Sequence, residues 1–360
     1  MMPLPRLLWT GLALATLSTS ATGRDLHHGT KLHPFLLQNP EGVRTLPAVL
    51  RTPHEDTRGN ETSCSLCPAA LSLSPCKCTC KDNGKAELVC GAELSSCSQL
   101  TEILNKQVFP TSHYYKLTVD GTQLDCLIER DLWGPLDFEK IVFAKNQFTT
   151  VDNHAFLPFQ ETLKTLNLEN NKISNFFFPA INELANLREF VIRGNEINFI
   201  PGYAYINSSS IRVFKASRNQ LVLTSDTFAG LPLLEILDLS YNKITKLSSH
   251  VLRIPNHKAD KLEIDLSYNE IQEIEPNAFS GLRGCTINLR NNKLITLPET
   301  TFRPVIDFTD TRVAFLVTGR SSSSLGVDEA GTLSLAGISP ILETVRSPIF
   351  CSINTVTNGF

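Results

Sequence analysis

An asparagine returns along this chain at 146, 171, 195, 219, 242, 269 and 292, at intervals of 25, 24, 24, 23, 27 and 23 residues. Apolar residues stand eight, five and three positions before it and two and five after it. Phe138, Ile141, Phe143, Phe148 and Val151 frame Asn146; Leu163, Leu166, Leu168, Ile173 and Phe176 frame Asn171; Leu187, Phe190, Ile192, Ile197 and Ile200 frame Asn195. The phrase Asp-Leu-Ser-Tyr-Asn occurs twice, at 238–242 and 265–269. A unit this short cannot bury its apolar face alone. Its neighbours must stack on it to make one continuous core, so the period itself predicts an elongated solenoid.

The template is L-x-x-L-x-L-x-x-N-x-L-x-x-L, the leucine-rich repeat signature. An eighth unit precedes the others: Tyr114, Leu117, Val119, Leu124 and Leu127, with Thr122 in place of asparagine. Thr224, Lys261 and Gly284 depart from the apolar pattern. The middle of each unit reads as a short strand whose residues alternate between core and solvent. The predicted fold is an α/β solenoid, a leucine-rich repeat horseshoe with a parallel concave sheet and a disulfide-rich N-terminal cap. Each asparagine sits where the strand turns, and its amide is suited to satisfy backbone groups of adjacent turns. Asn146, Asn171, Asn195, Asn219, Asn242, Asn269 and Asn292 are therefore expected to form a ladder. Leu132, Phe156, Ile181, Tyr205, Phe228, Leu252, Phe279 and Phe302 recur nine or ten residues after each such position, as an apolar spine on the convex side.

A solenoid needs its raw ends covered. The N-terminal cover is CSLCPAALSLSPCKCTCKDNGKAELVC, residues 64–90. Of ten cysteines, eight lie between 64 and 126. Cys67, Cys76, Cys78 and Cys90 form the centre of a disulfide cap, and Cys64, Cys80, Cys97 and Cys126 supply two further bridges. Pairing is not readable from spacing. The close C-x-x-C and C-x-C-x-C spacings also suit zinc, a reading the export signal makes the weaker one. At the other end Cys285 and Cys351 are the remaining candidates for a bridge, and GRSSSSLG at 319–326 reads as a flexible linker.

Residues 7–17, LLWTGLALATL, follow Arg6 and precede small residues ending at Gly23. That is a secretory signal peptide with cleavage after Gly23, and the run is too short to span a bilayer. Residues 1–23 are thus the signal, 24–63 a disordered leader, 64–113 the cap, 114–305 about eight repeats, and 306–360 an atypical tail without a recognisable cysteine cap. Secretion makes Asn60 and Asn207 glycosylation acceptors. His27, His28 and His33 in the leader read as solvated surface residues. A net charge of -3 excludes a strongly basic nucleic-acid binder.

The cap and its junction with the first repeat, C-P…S-P-C-x-C, QLTEIL and YYKLTV, with IEPNAFSGL near the end, resemble one arthropod family. That family is named for the non-catalytic subunit of Oplophorus-luciferin 2-monooxygenase. The resemblance covers roughly 67–305 and implies a secreted, disulfide-capped horseshoe that accompanies a small catalytic subunit and performs no chemistry itself. No catalytic motif, cofactor fingerprint or metal-binding helix is present in the sequence.

The expected function is binding of an extracellular protein, without cofactor or membrane anchor. Eight strands at about 4.8 Å spacing present a face roughly 40 Å long. Along it, Val142 and Ala144 are small and apolar, Arg193, Lys215 and Arg218 are basic, and Asp238, Tyr241, Asp265 and Tyr268 are acidic and aromatic. These last seven are the candidate partner-binding residues. Recognition of microbial surfaces and an extracellular-matrix role are the alternatives.

Overall fold

The structure is a computed structural model. It describes residues 64–298, apart from 69–72, 107, 203–204, 283 and 295, together with short strands at 315–317, 326–327, 332–334 and 352–355. The signal peptide, the leader with its histidines, Asn60, Phe302, Cys351 and most of the 319–326 linker lie outside the described residues.

Polypeptide enters through an antiparallel hairpin, β1 (Lys77–Cys80) and β2 (Ala86–Cys90), followed by one helix, α1 (Cys97–Lys106). The Ser96 hydroxyl accepts the Gln99 N–H at 3.2 Å, and the Gln99 side chain accepts the Ser95 N–H at 3.1 Å, which starts the helix cleanly. Leu100, Ile103 and Leu104 bring its apolar face into the core. Four disulfides bind this region: Cys64–Cys80, Cys67–Cys78, Cys76–Cys90 and Cys97–Cys126. The sulfurs of Cys64, Cys67 and Cys80 lie within 4.8 Å of one another, and all three are held in disulfides.

The repeats contribute parallel strands β3 (His113–Asp120), β4 (Asp137–Ala144), β5 (Thr165–Asn167), β6 (Glu189–Val191), β7 (Val213–Lys215) and β8 (Ile236–Asp238). Beyond them come β9 (Lys246–Leu247), β10 (Leu262–Asp265), β11 (Glu273–Ile274), β12 (Cys285–Asn288) and β13 (Thr296–Pro298). Register is uniform: Leu88, Leu117, Ile141, Leu166, Phe190, Phe214, Leu237, Ile264 and Ile287 are successive partners across the sheet. All of them are buried, so the inward column is one unbroken apolar row. On the other side of the core the chain returns through 3-10 turns, among them Arg130–Leu132, Leu157–Phe159 and Phe178–Ile181. Proline stands in the first turn of the last two, where its missing N–H costs nothing.

Three of the pattern's departures are slips of one residue. Lys261 is exposed, and Leu262 takes its place; Gly284 gives way likewise to Cys285. In β10 and β12 strict alternation then runs Leu262, Ile264, Leu266 and Cys285, Ile287, Leu289, so in these two strands the period-2 geometry displaces the repeat spacing. Leu223 is buried where Thr224 was expected to be apolar. Two assignments are corrected. Leu127 is 42% exposed while Ile128 is fully buried, and Tyr205 is 38% exposed while Ile206 is fully buried. At the second site the Asn182 side chain accepts the Asn207 N–H and donates to the Tyr205 carbonyl, which turns Ile206 inward and leaves the tyrosine in solvent. The other described spine residues, Leu132, Phe156, Ile181, Phe228, Leu252 and Phe279, are buried.

Repeats approach each other closely. A Cβ at Gly230 would lie 2.4 Å from the Ile206 carbonyl oxygen, so only glycine fits. Beyond β12 the sheet is continued by strands of the tail, β14 (Phe315–Val317) and β17 (Ser352–Thr355), with β17 inserted between β12 and β14. The short strand β16 (Thr332–Ser334) pairs antiparallel with β13, and β15 (Gly326–Val327) pairs with the other edge of β16. Cys285, at the start of β12, is disulfide-bonded. Among the described residues no helix is long and apolar enough to cross a membrane.

Candidate interaction surface

The asparagine column is the scaffold on which the outer face rests. Asn219 donates to the carbonyls of Ile192 at 3.0 Å, Ala216 at 3.1 Å and Ser217 at 3.2 Å, and accepts the Ile197 N–H at 3.0 Å. Asn171, Asn195, Asn242, Asn269 and Asn292 repeat this arrangement, each bridging its own turn to the preceding one. Asn146 opens the series by accepting from the Thr122 N–H and hydroxyl. Six of the seven are buried; Asn292, in the last described repeat, is half-buried. Burial in this setting makes each amide group's hydrogen bonds obligatory.

The outer face carries the seven candidate residues, and the structure divides them. Asp238 accepts the Ser240 N–H at 3.0 Å and hydroxyl at 2.7 Å through one oxygen. Asp265 does the same with Ser267 and also accepts from the Asn288 amide at 3.2 Å. Asn167 caps Glu169 and Asn288 caps Arg290 at the equivalent turn. The two aspartates are therefore half-buried turn closers, with a local reason for being where they are. Lys215 is half-buried and reaches Glu189 at 3.5 Å. Arg193 is half-buried, and its Nε is covered without an acceptor among the described residues. Ala144, expected on the face, is 3% exposed and belongs to the core.

Arg218, Tyr241 and Tyr268 are brought together. They occupy one column, the residue immediately before the ladder asparagine in successive repeats. The tyrosine rings stack with centroids 4.2 Å apart and planes 7° from parallel. The Arg218 guanidinium lies over the free face of Tyr241, 4.4 Å from its centroid. Both rings stay exposed, at 39% and 48%. Shielding from water raises the Tyr241 phenol pKa, the Tyr268 hydroxyl adds to that, and Arg218 opposes it.

A second polar cluster sits at the N-terminal end of the same face and carries no signal in the repeat pattern. Glu139 receives Lys164 at 2.7 Å and Lys85 at 3.0 Å, with His113 at 3.6 Å. The Lys164 hydrogen bond, then that of Lys85, overcome the cost of burial and hold the Glu139 carboxyl down at about 2. Tyr115 lies between Lys85 and Lys140, at 4.4 and 5.0 Å. Glu139 and Tyr115 stand one position after the apolar residue that opens each repeat, where polarity tells nothing of partners on neighbouring turns.

An in-register parallel sheet, an asparagine ladder and a disulfide-bonded cap define a leucine-rich repeat solenoid, a fold that works as a protein-interaction scaffold. The family model Leucine Rich Repeat matches residues 162–184 and 233–253. In sequence the chain is similar to the Oplophorus-luciferin 2-monooxygenase non-catalytic subunit of Oplophorus gracilirostris, 23% identical over 67% of this chain and 73% of that protein. It is also similar to Toll-like receptor 3 of Boselaphus tragocamelus, 28% identical over 59% of this chain and 24% of the receptor. Podocan of Mus musculus is 31% identical over 46% of this chain and 26% of its own length. The last two alignments span about a quarter of the relatives they match. Among solved structures, the TLR13-ssRNA13 complex shares the fold at 20% identity and a TM-score of 0.52, over 66% of this chain and 32% of that one.

Proposed function

We propose that this protein is a secreted, non-catalytic scaffold that binds another extracellular protein through the outward face of its parallel sheet, as the accessory member of a two-chain complex. The observation that carries this reading is the exposed Arg218–Tyr241–Tyr268 stack on a sheet whose register is held rigid by a buried asparagine ladder. Arginine and tyrosine on a preorganised support are the residue types that dominate protein interfaces. Residues 1–23 act as the export signal. The four disulfides of the cap suit an oxidising compartment. Asn207 is exposed and follows the glycosylation pattern, as does Asn60. The similarity to a subunit named as non-catalytic supports an accessory role, the partner supplying any chemistry.

The test is co-purification followed by reconstitution. The full chain, secreted with a C-terminal tag, is incubated with extracellular fluid of the organism that makes it, and the bound fraction is identified by mass spectrometry. The expected result is one protein in stoichiometric amount that re-forms a 1:1 complex from two purified chains. Recovery of microbial glycans or lipids alone would favour a recognition protein, the reading to which similarity to a Toll-like receptor points. Failure of every recovered protein to reconstitute would overturn the accessory role.

A further inference from the structure

At the end of each sheet strand the backbone passes through one left-handed residue just before the ladder position. Gly121, Lys145, Asn170, Gly194, Arg218, Tyr241, Tyr268 and Asn291 all have φ between 52° and 66° there. Glycine and asparagine suit that conformation, and half of the eight positions use them. Arg218, Tyr241 and Tyr268 do not suit it, and they are consecutive. Lys145 shares the strain, but Arg218, Tyr241 and Tyr268 hold it at neighbouring positions, which points to a role for those three side chains together.

What those side chains present follows from their packing. An aromatic ring is electronegative on its faces and electropositive at its edge. One face of Tyr241 is covered by Tyr268 and the other by the Arg218 guanidinium. Solvent therefore meets ring edges, the outer face of Tyr268, two hydroxyls and the N–H groups of an arginine that has no ion-pair partner among the described residues. The edges, the hydroxyls and the N–H groups are complementary to a carboxylate. Behind the column Ser217, Ser240 and Ser267 are small and buried. The hydroxyls of Ser240 and Ser267 are already spent on Asp238 and Asp265. Those two aspartates also repel a dense polyanion, and the whole chain is itself acidic at -3.

We propose that Arg218, Tyr241 and Tyr268 form a docking rim for a protein segment presenting an aspartate or glutamate side chain, the carboxylate pairing with Arg218 and its flanking residues lying against the tyrosine edges. The inference rests on the outward face of the sheet being the binding surface, and it names the chemistry of the partner.

The test selects random dodecapeptides by display against the full-length protein and measures the affinity of the enriched peptides by fluorescence anisotropy. Two variants probe the rim, Arg218→Asn and the pair Tyr241→Asn with Tyr268→Asn. Asparagine is what the fold itself uses at Asn170 and Asn291, so these variants keep or raise the thermal midpoint. Enriched peptides are expected to share an acidic residue and to lose about tenfold or more in affinity with either variant. Thr118→Arg with Val142→Arg blocks the sheet away from the rim. Peptides unaffected at the rim but lost with that pair would overturn the rim while leaving the face as the binding surface. Peptides unaffected by any variant would overturn both. Enrichment without an acidic residue, no enrichment, or binding of a heparin oligosaccharide in place of peptides each overturns the proposal of an acidic protein segment.

Discussion

The five residues of the repeated phrase have separable jobs. Leu239 and Leu266 fill the core, Asp238 and Asp265 close the turn through Ser240 and Ser267, Tyr241 and Tyr268 face solvent, and Asn242 and Asn269 hold the ladder. Removing the ladder amide strands backbone groups that water does not reach. Asn219→Ala deletes the donor to Ile192 and Ala216 and the acceptor for Ile197, all between buried turns. Leaving two or more buried backbone groups unpaired is expected to destabilise by about 2–5 kcal/mol, read as a lower unfolding midpoint in urea with an unchanged far-ultraviolet spectrum. A midpoint shift below about 0.5 kcal/mol would mean that water enters the turn and takes over the bonds. The asparagines were visible in the sequence because they repeat. That the aspartates serve the turn was not, because a capping carboxylate and a binding carboxylate occupy the same outward position, and only the 2.7 Å and 2.6 Å contacts to the serine hydroxyls separate them.

Strand existence was readable from the alternation of apolar residues, but strand ends were not. Lys261 and Gly284 miss their slots because β10 and β12 keep strict alternation one residue longer, a competition between two periods that a fixed template cannot show. Partners across strands were hidden more completely. Glu139 on β4 binds Lys164 before β5 and Lys85 before β2, and no spacing in the sequence relates the three. Its folded pKa, about 2, lies below the usual 4.5. A depressed carboxylate pKa contributes stability that is fully present above the unfolded value and is lost as pH falls from 4.5 towards 2. Glu139→Gln removes this proton uptake. The variant should be less stable than the parent at pH 7, and the gap should narrow across that acid window when thermal midpoints are compared. A gap that stays constant with pH would place the two lysines outside the carboxylate's field.

In the whole molecule, a solenoid's turns contact only their neighbours, so stability is approximately a sum over adjacent pairs and the ends decide where unfolding begins. The chain closes its two ends differently. At the C-terminal end β17 and β14 add to the sheet out of sequence order, an arrangement that no local pattern announces because the pairing residues lie more than sixty positions from β12. At the N-terminal end the cysteine density announced a cap, and the structure supplies the pairing. Three bridges lie within the cap, whereas Cys97–Cys126 ties the first residue of α1 to the first repeat, closing a loop of 29 residues. The Tyr114 hydroxyl, donating to the Leu66 carbonyl at 2.7 Å, crosses the same junction, and burial pushes its pKa up to about 12. Cutting the bridge with Cys97→Ser and Cys126→Ser should remove about 3–4 kcal/mol by restoring loop entropy to the unfolded chain. The loss should be local. Amide exchange should speed up first in β1, β2, α1 and β3, with β7 and β8 near their parent rates, because the coupling passes only from turn to turn. Equal acceleration along the entire sheet would instead make the solenoid a single cooperative unit, with the cap holding every turn at once.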